Sequence, residues 1–187
     1  MPGSEPLPPL WLLDIDGVVN AVSPALPETW PPDQWVRREV LAPVEGHGIV
    51  PLPIVAAQPV LDFLILVHST GAAEICWHST WRTSAVSALA PALGLPAFAI
   101  SVAPEWTESP RQGWWKLPAA ERAAQGNRLV LWTDDDIAGY LRSEPEIAKR
   151  LTTLALRKGT MLVSPERHTG LSPADLARIG SFLNLPR

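Results

Sequence analysis

The stretch "LWLLDIDGVVN", residues 10–20, sets an unbroken apolar run directly against two aspartates, Asp14 and Asp16, and a glycine. A short run of this kind suits a strand buried on both faces, as inside a parallel sheet. A buried carboxylate without a partner costs several kcal/mol. The two aspartates therefore either cap a turn or hold something positive.

Outward from this stretch, apolar runs alternate with helical patterns. "AAQPVLDFLILVHSTG" carries a helical stripe ending at Gly71, and "AEICW" follows as a second core strand. "TSAVSALAPALG" reads as a short helix capped by Thr83 or Ser84 and stopped at Gly94, and "FAISV" as a third strand. "WWKLPAAERAAQG" predicts a helix starting near Lys116 or Leu117, because Pro118 is tolerated only in a first turn. "RLVLWT" is a further strand, and residues 134–159 are helical with a break near Pro145. "TMLVS" and a closing helix over "SPADLARIGSFLNL", capped by Ser172, complete the chain. This alternation predicts an α/β fold, a Rossmann-like, mostly parallel sheet flanked by helices. Between the first strand and the first helix, "QWVRREVLA" and "GIVPLPIV" flank the turn-rich "PVEGHG", which predicts a small β-hairpin flap over about 33–56. No room is left for a large cap domain, and residues 1–9, with four prolines, read as a flexible leader before one domain over 10–187.

The totals narrow the function. A net charge of -4 disfavours a broad nucleic-acid face, although a local basic pocket is compatible with it. The one cysteine, Cys76, excludes an internal disulfide and a multi-cysteine zinc site, which fits a reducing, cytoplasmic setting. No secretion signal is recognisable, and the longest apolar stretch is broken by Pro59 and Asp62 before it could span a bilayer, so no membrane partner is expected.

In parallel α/β sheets, ligands bind beyond the carboxyl ends of the strands. Those ends carry Asp14 and Asp16, then His78, Ser79 and Thr80, then Asp134, Asp135 and Asp136. Converging carboxylates repel unless a cation lies between them, and an oxygen-only donor set favours magnesium, which in turn meets phosphate oxygens.

Four motifs in order resemble those of the haloacid dehalogenase-like (HAD) superfamily of phosphotransferases: "LWLLDIDGVVN", "EICWHSTWR", Lys116 in "GWWKL", and "LVLWTDDD". The resemblance implies that Asp14 is a nucleophile forming an aspartyl phosphate and that Asp16 is a general acid and base whose main-chain carbonyl also meets the metal. Ser79, or Thr80 if the strand ends one residue later, would bind a phosphoryl oxygen, and Lys116 would neutralise both the phosphoryl group and Asp14. Asp134 would bind magnesium, with Asp135 as second ligand or water holder. Arg82 is either a phosphate or distal-substrate ligand or a surface charge. A receiver domain uses similar residues but carries its acid pair first, whereas here that pair comes last.

Other residues read more plainly. His78 is expected to point away from Ser79, since strand neighbours alternate faces, and Asp136 to favour a helix dipole. Trp81, Trp114 and Trp115 are expected in core packing and flap support, with Trp30 and Trp35 better placed for substrate contact. His47, His68 and His168 lack metal-ligand spacing. The expected activity is a magnesium-dependent phosphatase acting on a small-molecule or exposed phosphomonoester. A non-catalytic phospholigand sensor, and an end-processing nucleic-acid phosphatase of the kind associated with RNA repair, are the alternatives. The absence of a large cap points to a larger or more exposed phosphorylated group, or to closure by an oligomer partner.

Overall fold

The computed structural model describes residues 7–44, 46–101 and 114–186. Most of the expected leader therefore lies outside the described residues, as does Val102 of the expected third strand. A five-stranded sheet is formed by β1 (Leu10–Leu13), β4 (Glu74–Trp77), β5 (Ala99–Ile100), β6 (Val130–Thr133) and β7 (Thr160–Val163), in the order β5-β4-β1-β6-β7. Every pairing in it is parallel. A separate antiparallel ribbon joins β2 (Trp35–Val44) to β3 (Gly48–Ala57), with Trp35 opposite Ala57 and Val44 opposite Gly48. This is the predicted hairpin.

The sheet is covered on both faces because its strands are apolar at nearly every position, Glu74, Thr133 and Thr160 excepted, and alternate sides residue by residue. Trp11, Leu13, Ile75, Trp77, Leu131 and Val163 face one core. Leu12, Cys76, Val130 and Trp132 face the other. The first core is covered by α1 (Gln58–Ser69), whose Val60, Leu61, Leu64 and Val67 form one stripe, and by α6 (Pro173–Phe182). The second is covered by α3 (Lys116–Ala123), α4 (Asp136–Ser143) and α5 (Pro145–Ala155), through Leu117, Ala120, Ile137, Leu151 and Leu154.

Local chemistry sets several boundaries. α5 begins at Pro145, where the expected break falls, because proline suits a first helical position. Ser172 and Asp175 form a reciprocal capping box at the start of α6. The helix expected over "TSAVSALAPALG" is present over 83–93, with a five-residue π-helical stretch, Ala85–Leu89, running into the four-residue α2 (Ala90–Leu93), and Ser84 makes no side-chain cap bond. Its C-terminal Gly94 adopts φ +67, as the predicted stop requires.

The strand order reverses at β1, which has β4 on one side and β6 on the other. Such a switch point opens a crevice beyond the carboxyl ends of the strands. One buried bond ties the two strands flanking it: Trp11 Nε1 donates to Thr133 Oγ1 at 3.0 Å. Thr133→Val keeps the shape but strands the buried indole donor, so it should cost about 1–3 kcal/mol, read as a lower denaturant midpoint at unchanged slope.

Candidate active site

The ladder hydrogen bonds continue one residue beyond the strands, and those residues are the ones that carry chemistry. The Asp14 N–H donates to Thr133 O (3.1 Å), the His78 N–H to Leu13 O (2.8 Å), and the Asp134 N–H to Val163 O (3.0 Å). Their side chains therefore leave the sheet edge from fixed backbone positions.

Lys116, the first residue of α3, sends its ammonium between two of them. Its Nζ lies 2.6 Å from Asp14 Oδ2 and 2.7 Å from Asp134 Oδ2, and all three residues are buried. A cation at a helix N-terminus opposes the dipole, so the two carboxylates must outweigh that cost. Burial would push the Lys116 ammonium down, but the charges of Asp134 and Asp14 hold it above the ordinary lysine range.

The carboxylates respond the other way. Burial raises Asp14 above its usual range even though Lys116, the Ile15 N–H and the Ser79 hydroxyl all favour its charged form. Asp134 is raised further, by burial and then by the charge of Asp14, against Lys116. Asp135 reaches about 6 through burial and the charges of Asp136 and Asp14, opposed by Arg167 and Lys116. One lysine thus serves an excess of buried negative charge, which is the condition under which a further cation would be taken up.

Carboxylate oxygens of Asp14, Asp134 and Asp135 lie within 4.8 Å of one another, so these three residues could hold a metal ion. The all-oxygen donor set suits a hard divalent cation. Gly17 makes room for the Asp135 carboxylate: at φ +75, a Cβ there would fall 2.3 Å from Asp135 Cγ. The Asp16 carboxylate is not part of this cluster. Its Oδ1 accepts from Asn20 Nδ2 and its Oδ2 from Trp81 Nε1, both at 2.8 Å.

Ser79 is buried with its hydroxyl on Asp14, whereas Thr80 is exposed and lines the open cleft. That cleft, about 240 Å³, is also lined by Asp14, Asp16, Trp114, Trp115, Lys116, Asp135, Asp136 and Arg167. Arg82 is half-buried and adopts φ +48, a left-handed conformation at the end of the "HSTWR" turn. Asp136 opens α4, and its N–H donates to Asp134 Oδ1 at 3.1 Å.

The tryptophans divide differently from the sequence expectation. Trp30 donates to Leu171 O, and Trp35 to Pro27 O and Trp30 O. Both pack on the first core, and neither is among the cleft-lining residues. These indoles secure the loop ahead of the hairpin by satisfying backbone carbonyls, which explains their position away from the cleft. Trp114 and Trp115 do line it, with Trp114 stacked on Tyr140 at 4.3 Å.

Two further residues support the site. His78 is fully buried, with Nε2 3.0 Å from the Lys116 carbonyl and Nδ1 on Ser101 Oγ. Burial pushes its pKa down to about 4, so the neutral ring donates from Nε2 to that carbonyl and anchors the start of α3. Arg167, in the loop after β7, lies 3.8 Å from Asp135. Only its approach in space reveals it.

No protein-family model matches the chain, and no curated protein or solved structure matches it. Among the described residues, no helix is long and apolar enough to cross a membrane.

The Asp135 shift gives a signed expectation. Because its folded value, about 6, exceeds the ordinary 3.8, the ionised carboxylate destabilises the fold above pH 6 and not below the ordinary value. Asp135→Asn should therefore raise the melting temperature of metal-free protein at pH 7, with the gain fading as pH falls through 6 toward 4 in a thermal-shift series.

Proposed function

We propose that the protein is a magnesium-dependent phosphomonoester hydrolase of the HAD type, working through an aspartyl phosphate on Asp14. The observation that carries this reading is the buried Lys116 ammonium bridging Asp14 and Asp134, with the Asp135 carboxylate alongside. A lysine shared between two carboxylates neutralises charge where a phosphoryl group would add more.

Asp14 Oδ attacks phosphorus while the bond to the ester oxygen breaks, and Asp16 delivers a proton to that departing oxygen. Asp16 then takes a proton from water as the water oxygen attacks the aspartyl phosphate, returning Asp14 and releasing inorganic phosphate. Lys116 and the Ser79 hydroxyl stabilise the charge on the transferring group, and Thr80, which lines the cleft, meets a substrate oxygen, whereas Arg82 is not among the cleft-lining residues. Asp14, Asp134 and Asp135, with the main-chain carbonyl of Asp16, would hold magnesium. The ion would supply Lewis-acid neutralisation of phosphoryl oxygens. The open cleft and the absence, among the described residues, of any insertion larger than the hairpin favour an exposed phosphoryl group as substrate.

A panel of nucleotides, sugar phosphates, phosphorylated nucleic-acid ends and an aryl phosphate tests the reading. Turnover should require magnesium, stop with EDTA, and fall by roughly a thousandfold or more in Asp14→Asn, as expected for loss of a covalent nucleophile. Activity that survives Asp14→Asn rules out this nucleophile, and magnesium binding without turnover of any phosphomonoester rules out the hydrolase.

A further inference from the structure

The Asp16 carboxylate is gripped from two sides by groups that can only donate. Trp81 Nε1 gives its proton to Oδ2 and Asn20 Nδ2 gives one to Oδ1, each at 2.8 Å. The Asn20 amide orientation is fixed by its other partner, because its Oδ1 accepts the N–H of Val55 in β3 at 2.9 Å. The next residue extends the same attachment, with the Ala21 N–H donating to Val55 O at 2.8 Å. Asp16 is thus tied through Asn20 to the hairpin and through Trp81 to the turn after β4. Trp81 is itself half-buried against the first core, so the indole is a fixed post rather than a swinging one.

We propose that Trp81 is a positioning residue for proton transfer by Asp16, with Asn20 as the opposite jaw of the clamp. An ionised carboxylate offers about four lone-pair sites. The clamp takes one on each oxygen, so the transferable proton is confined to the remaining sites, and rotation of the carboxylate about its own bond is stopped. Asp16 lines the cleft and stands outside the group of three carboxylates that could hold a metal. This proposal rests on the reading of Asp16 as the general acid.

The test is Trp81→Phe, which keeps an aromatic ring against the core and removes only the donor. With magnesium present, p-nitrophenyl phosphate, whose leaving group departs without a proton, is compared with an alkyl phosphate, whose alkoxide needs one. The variant should lose kcat on the alkyl ester at least about tenfold more than on the aryl ester, in line with the worth of general acid catalysis. Equal loss on both esters overturns the proposal. A second measurement does not depend on turnover. In proton–nitrogen correlation spectra, the Trp81 indole signal, assigned by its absence from Trp81→Phe, should move upfield and exchange faster with solvent in Asp16→Ala. An unmoved signal overturns the clamp. Failure of Asp14→Asn to abolish turnover would count against the nucleophile while the indole signal still decides the clamp.

Discussion

The Lys116 ammonium between Asp14 and Asp134 is the contact on which the rest of the site depends. It joins groups 102 and 18 residues away in the chain. Without it, two buried carboxylates would face each other unpaired, at a cost of about 3–5 kcal/mol, a large share of a marginally stable domain's total. The surroundings of Lys116 are built to keep it there. His78 holds its carbonyl, and Trp114, two residues before it, is wedged between Tyr140 and Trp132. A buried aromatic layer thus sets the position of a charge.

Much of this arrangement was legible in the chain. The apolar runs at Leu10–Leu13, Glu74–Trp77, Val130–Thr133 and Thr160–Val163 carry their own signal, because a strand covered on both faces needs no polar position. Pro145, Gly94 and the Ser172–Asp175 box mark element ends by local chemistry that needs no tertiary context. Asp14, Ser79, Asp134 and Asp135 follow from one rule, that chemistry gathers after the strands, and Lys116 from the family resemblance alone; these five do meet in space.

What stayed hidden depends on long-range geometry. Nothing in "HSTWR" distinguishes a tryptophan that supports the core from one whose indole meets a carboxylate, since Trp81 does both. Asn20 looks like a turn residue until Val55 arrives from the hairpin. Arg167 sits in a loop with no motif, and its place beside Asp135 follows from the hydrogen bond between its carbonyl and the Val22 N–H. The π-helical stretch at Ala85–Leu89, with Ala85 and Leu89 buried, has the composition of an ordinary helix and so carries no distinguishing pattern.

The central place of β1 bears on how the chain assembles. This strand comes first in the sequence, yet one of its two neighbours is β6, so that Leu10 pairs with Val130. A polypeptide emerging in order makes β1, the hairpin and β4 long before β6, leaving one apolar edge of β1 without its partner until β6 is made. Such an edge invites mispairing with other chains. Long-range parallel pairing is also slow to form, because the intervening chain must close before any contact rewards it. Deletions or stalls between β4 and β6 would thus expose the same strand that carries Asp14.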